Sequence, residues 1–124
     1  MDPRCLWRIA LSLALVATAA HAQEITLVVQ SSPLAGFRYH AAASVWDELR
    51  VGDRLELERE RDNPHDANAV SVSWRGQKLG YVPRHQNAAL AGGLDRGAAF
   101  VARISRLAPG ASPSRRVEFE VIAE

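Results

Sequence analysis

In the run Arg61-Asp62-Asn63-Pro64-His65-Asp66-Ala67-Asn68-Ala69-Val70, six of the first eight residues are charged, imidazole or amide groups that could do chemistry. Carboxylates accept hydrogen bonds from hydroxyls or bind cations. Amides offer a donor and an acceptor together. Two further clusters flank the run. Phe37-Arg38-Tyr39-His40 places two aromatics, a guanidinium and an imidazole side by side, and Tyr81-Val82-Pro83-Arg84 repeats an aromatic with a guanidinium. Guanidinium groups fork onto phosphate oxygens, and aromatic faces stack on bases. A second chemistry is metal-assisted hydrolysis, because Asp62, His65 and Asp66 are close in sequence and His40 and His85 could join them. A catalytic zinc needs three protein ligands and an open position. The chain has no His-Glu-x-x-His or Cys-x-x-Cys spacing to supply them.

The loop must be held rigid to display these groups. Pro64 biases Asn63 to extended backbone, and Asp66 and Asn68 can bond nearby backbone N–H groups. Leu55–Glu58 before the loop and Val70–Trp74 after it alternate apolar and polar residues, the pattern of half-buried strands. Further strands are expected over Glu24–Gln30, Gln77–Pro83, Phe100–Leu107 and Arg116–Ile122. Ser31–Gly36 and Ala108–Ser114 read as breaker-rich loops, and Arg75-Gly76 as a hairpin turn. Ser44 is placed to cap a short helix over Val45–Leu49. A second helix is expected from Asn87 to Arg96, weakened by Gly92-Gly93 and stopped by Gly97. Trp46 and Trp74 fall at apolar positions and belong to the core. The class is therefore mainly β: about six strands and one or two short helices, arranged as a small closed or nearly closed barrel.

The start of the chain reads differently. Arg4 and Arg8 precede an apolar run from Ile9 to Ala17, and Ala20-His21-Ala22 offers small residues at a cleavage site. This predicts a signal peptide over 1–22, cut after Ala22, and a mature domain over 23–124 in the periplasm or outside the cell. The run is short for a membrane span, which needs about 20 residues. The alternative is an uncleaved anchor. Removing Arg4, Arg8 and Asp2 from 15 basic and 14 acidic residues leaves 13 of each. A neutral domain does not hold long nucleic acid by charge alone, though a local site is compatible with it. Cys5 would leave with the signal, so the core alone must stabilise the monomer expected here.

Gly36–His40, Arg61–Val70 and Lys78-Leu79-Gly80-Tyr81-Val82-Pro83-Arg84 occur in that order, with Gln86–Ala91 after them. The combination resembles the HIRAN domain, over about Ile25 to Ile122. The resemblance implies a modified OB-like β-barrel that grips the 3′ end of single-stranded DNA. An aromatic would stack on a base, an acid and an amide would contact the free 3′ hydroxyl, and basic groups would hold the neighbouring phosphates. Matched by motif, the ligand-binding residues would be Arg38, Tyr39, His40, Asn63, Asp66, Tyr81 and Arg84. His40 stands where some members carry a second tyrosine, and Tyr81 where a histidine can occur.

These readings leave three classes of function. The first is an exported, non-enzymatic binding module for nucleic-acid ends, with no catalytic residue and no required cofactor. It has no motor of its own, since no Gly-x-x-x-x-Gly-Lys-Ser/Thr loop is present. The second keeps the barrel to bind a small ligand or an envelope protein. The third is a zinc-assisted hydrolase of acid anhydrides, an activity that descriptions of the family also mention.

Overall fold

The computed structural model describes residues 26–124, so the expected signal segment lies outside the described residues. Six antiparallel strands form one sheet: β1 (Leu27–Pro33), β2 (Arg54–Arg59), β3 (Val70–Trp74), β4 (Gln77–Tyr81), β5 (Phe100–Leu107) and β6 (Val117–Ala123). Their order across the sheet is β1-β6-β5-β2-β3-β4. The two short helices are α1 (Ala42–Val45) and α2 (Ala88–Asp95). The core runs down the inner face, where Leu34, Leu49, Leu55, Val72, Leu79, Ile104 and Phe119 are all buried. Trp74 is buried among them, its indole N–H donating to Asp53 Oδ2 at 3.0 Å, and Trp46 packs against the cluster. The architecture is the expected OB-like, mainly β one.

The sheet curls without closing. Its edge strands are β1 and β4, and no continuous ladder joins them. Instead Ala35, two residues past β1, forms one antiparallel bridge with Tyr81, the last residue of β4. Each amide of the pair donates to the other's carbonyl at 2.9 Å. Gly80 makes this approach possible. A side chain there would run into the Ala35 carbonyl oxygen. At the other end of β4, Arg75 and Gly76 both take positive φ, 47° and 79°. That is the primed two-residue turn that suits the twist of a hairpin.

Two expectations need correction. The first strand runs on through Ser31, Ser32 and Pro33, whose composition predicts a loop. They pair with Glu120, Phe119 and Glu118 of β6. Proline is tolerated there because the strand is an edge. Ser32 is buried, and its hydroxyl donates to Gln86 Oε1 at 2.8 Å. The first helix also falls earlier than expected. Ser44 lies within α1 and caps no helix; its hydroxyl donates back to the Ala41 carbonyl at 2.8 Å. Trp46–Glu48 is only a 3₁₀ turn.

Candidate functional site

The loop between β2 and β3 is tied down by its own side chains. Asn63 Oδ1 accepts from the backbone N–H groups of His65 at 2.9 Å and Asp66 at 3.2 Å. Asp66 Oδ1 accepts from Asn68 N–H at 2.9 Å. Arg59, at the end of β2, donates to the carbonyls of Ala67 at 2.9 Å and Ala69 at 3.1 Å. The same guanidinium and that of Arg61 meet Asp95 of α2. Hydrogen bonding from Arg59, then Arg61, holds the Asp95 carboxyl below the ordinary carboxylate range. A second anchor joins loop to helix: Asn87 Nδ2 donates to Asp66 Oδ2 at 2.7 Å.

Beside this loop lies a cavity of about 390 Å³, lined by Ala35, His40, Asn63, His65, Asp66, Ala69, Tyr81, Val82 and Arg84. The fold thus brings together five of the seven residues singled out from the sequence: His40, Asn63, Asp66, Tyr81 and Arg84. They come from four places in the chain. His40 follows the 3₁₀ turn Phe37–Tyr39, Asn63 and Asp66 come from the loop, Tyr81 ends β4, and Arg84 opens the next 3₁₀ turn. The His40 and Tyr81 rings meet edge to face, 5.3 Å between centroids.

Arg38 and Tyr39 are not in this cavity. The 3₁₀ turn buries Phe37 against Trp46, at 5.7 Å edge to face, and points its next two residues outward. Tyr39 is 83% exposed, too open for a core role. Arg38 and Tyr39 line a smaller cavity of about 280 Å³ with Ser112, Pro113 and Ser114 from the β5–β6 loop. An intermediate cavity shares Ala35 and Arg84 with the first and Ser114 with the second. Both Arg38 and Arg84 are exposed, and among the described residues neither forms an ion pair.

Sequence reasoning missed the contributions of Glu60, Lys78, His65 and Asn87. Glu60 accepts from the Tyr81 hydroxyl at 2.8 Å, Asn63 Nδ2 at 3.3 Å and Lys78 Nζ at 2.6 Å. Lys78 Nζ also donates to the Tyr81 hydroxyl at 3.2 Å. Burial opposes the charge on Glu60, but the hydrogen bonds from Lys78, Tyr81 and Asn63 outweigh it and hold this carboxyl below its ordinary value. The Glu60 and Tyr81 hydrogen bonds hold Lys78 above its own. His65 suggests only a metal ligand from its sequence neighbours, yet it helps line the cavity. Asn87 suggests only a helix start. The alternation Glu56-Leu57-Glu58 continues to Glu60 and is the one signal that would have placed that carboxylate on the same side as its strand neighbours. Among the described residues no three His, Cys, Asp or Glu side chains lie together as a metal site. No helix among them is long and apolar enough to cross a membrane.

The carboxylate of Asp66 has two partners already, against roughly four acceptor positions on its oxygens. It can still accept from a ligand hydroxyl. The cavity volume lies within the range of about 300–1,000 Å³ that small molecules occupy. The arrangement therefore offers acceptors, two imidazoles and an aromatic ring inside, with a cationic group at an exposed wall.

The model of the family described as HIRAN domain matches residues 27–124. No curated relative matches the chain. Among solved structures, a protein from Lactobacillus plantarum shares 27% identity and superposes with a TM-score of 0.68, covering 80% of this chain and 95% of that one. The HIRAN domain of human HLTF shares 18% identity with a TM-score of 0.58, covering 76% of this chain and 74% of that one. At that identity the human domain speaks for the fold alone.

Proposed function

The chain belongs to the HIRAN domain family, a family of nucleic-acid-binding modules, and from that premise we propose that it recognises the free 3′ end of single-stranded DNA. The observation that carries the reading is the meeting of His40, Asn63, Asp66, Tyr81 and Arg84 on one cavity. The terminal nucleoside enters there. Its 3′ hydroxyl donates to Asp66, a charge-assisted bond stronger than a neutral one. A continuing chain would set a phosphate against the same carboxylate, so a free end is preferred. Its base lies on the Tyr81 ring. Arg84 takes the adjoining phosphate, and the strand leaves through the intermediate cavity towards Arg38 and the exposed face of Tyr39. The protein acts as a binding module rather than an enzyme, and the segment 1–22 exports it.

The test is fluorescence anisotropy with two short oligonucleotides that differ only at the end, a 3′ hydroxyl against a 3′ phosphate. Tighter binding of the hydroxyl is expected. Equal binding of the two, or none, overturns the proposal. The cavity volume supports a second reading, a free nucleotide or another sugar-bearing ligand. In that case mononucleotides compete as well as oligonucleotides do.

A further inference from the structure

One carboxylate outside the cavity holds two of the groups that line it. We propose that Glu60 is the positioning residue of this cavity, setting the Tyr81 ring and the Asn63 amide at the spacing a terminal nucleoside needs. The inference rests on the reading of the cavity as an end-binding site. Glu60 does not line that cavity; it lines a neighbouring polar cleft, with Arg59, Arg61, Asp62, Asn63 and Pro64. Asn63 is the wall common to both. Through Oε1 the carboxylate receives the Tyr81 hydroxyl at 2.8 Å and the Asn63 amide at 3.3 Å. Through Oε2 it receives Lys78 at 2.6 Å.

Tyr81 belongs to the end of β4 and Asn63 to the β2–β3 loop, so one acceptor spans two separate elements. The backbone of Glu60 is itself fixed: its N–H donates to the Ala69 carbonyl at 2.9 Å, and its carbonyl accepts from Asn63 N–H at 3.2 Å. Because the Tyr81 hydroxyl proton is committed to Glu60, that tyrosine offers a ligand its ring. Lys78 braces Glu60 and Tyr81, donating to the carboxylate and to the hydroxyl, with its ammonium 5.1 Å from the Tyr81 ring centroid.

The sign of one effect separates positioning from electrostatics. Glu60 is negative and the ligand is an anion, so charge alone makes its removal tighten binding. Positioning makes its removal weaken binding. The experiment compares wild type, Glu60→Ala, Glu60→Gln and the double variant Glu60→Gln/Lys78→Met. Binding of the 3′-hydroxyl oligonucleotide is read by anisotropy, at a temperature where circular dichroism shows each variant folded. Glu60→Ala is expected to bind about fivefold to tenfold more weakly, the size of one net hydrogen bond. The double variant keeps a neutral acceptor for Tyr81 and Asn63 and removes the ammonium that would face an amide, so it recovers most of the loss. Glu60→Gln alone falls between them. Unchanged or tighter binding by Glu60→Ala overturns the proposal.

A ligand-free readout keeps this test separate from that of the DNA reading. The Asn63 side-chain amide and the Tyr81 ring are followed by NMR in wild type and Glu60→Ala. Both signals are expected to move while the methyls of Val72 and Ile104 stay in place. If neither moves, Glu60 does not position the cavity. If wild type binds neither oligonucleotide, the end-binding reading fails, and the NMR comparison alone decides the role of Glu60.

Discussion

Asn87 is only 2% exposed, and its side-chain amide ends on the Asp66 carboxylate across the gap between α2 and the β2–β3 loop. Replacing it with alanine leaves a hole and removes that bond. Asn87→Ala is expected to lose about 1–3 kcal/mol, measured by denaturant unfolding. Asp66→Ala is expected to weaken binding of a free 3′ end by about 1–3 kcal/mol, and to lower stability as well, because Asn87 then loses its acceptor. A variant with wild-type stability and wild-type end binding would remove Asp66 from the site. The Glu60–Lys78 pair gives a pH dependence with a fixed sign. The folded Glu60 carboxyl titrates below its ordinary 4.5, so its contribution is complete above that value and is lost as pH falls through the folded pKa. Lys78 titrates above its ordinary 10.5 and contributes fully below it, losing that as pH rises through the folded pKa. Denaturant midpoints of wild type and Glu60→Gln are expected to converge under acid and separate near neutrality. Local chemistry made Asn63 and Asp66 legible, since their backbone partners lie two or three residues away. The bonds of Glu60 to Lys78 and Tyr81, and of Asn87 to Asp66, span 18 to 21 residues, and no local pattern announces such pairs.

At the level of elements, Gly80 is where the backbone of β4 passes the Ala35 carbonyl. Gly80→Ala forces that carbonyl away and breaks the Ala35–Tyr81 bridge. The expected loss is about 1–3 kcal/mol in thermal or chemical unfolding, the scale of overpacking. Binding should suffer with it, because Tyr81 and Ala35 both line the cavity. The strands β3 and β5 match their expected bounds end to end; apolar and polar residues alternate through all of β3 and, in β5, from Ala102 to Ser105. The extension of β1 was hidden for a physical reason. Ser31-Ser32-Pro33 has the composition of a turn, but pairing with β6 and the bond from Ser32 to Gln86 outweigh local preference. The same holds for α1, where burial of Ala42 and Val45 selects the register and Ser44 adapts to it. The motif residues of the cavity were readable one by one. Their division between two cavities was not, because it depends on how the Phe37–Tyr39 turn meets the β5–β6 loop.

For the molecule as a whole, near-neutral charge sets the salt response. A contact made through two or three phosphates gives a slope of about −1.5 to −2 in log affinity against log salt, for a single strand. A titration from low to physiological salt checks it, and a much steeper slope would mean a broad basic face engaged instead. If the segment 1–22 is removed on export, protein recovered from the producing cell should begin at Gln23, which N-terminal sequencing reads directly. The bridge between Ala35 and Tyr81 also has a kinetic meaning. It joins residues far apart in sequence, and among the described residues it is the one β-bridge between the two edges of the sheet. Contacts of long sequence separation form slowly, and a tie of two hydrogen bonds opens more readily than a full ladder. Amide exchange at Ala35 and Tyr81 should therefore report the breathing of the cavity, and a bound ligand should slow exchange at those two amides before it slows the rest of the sheet.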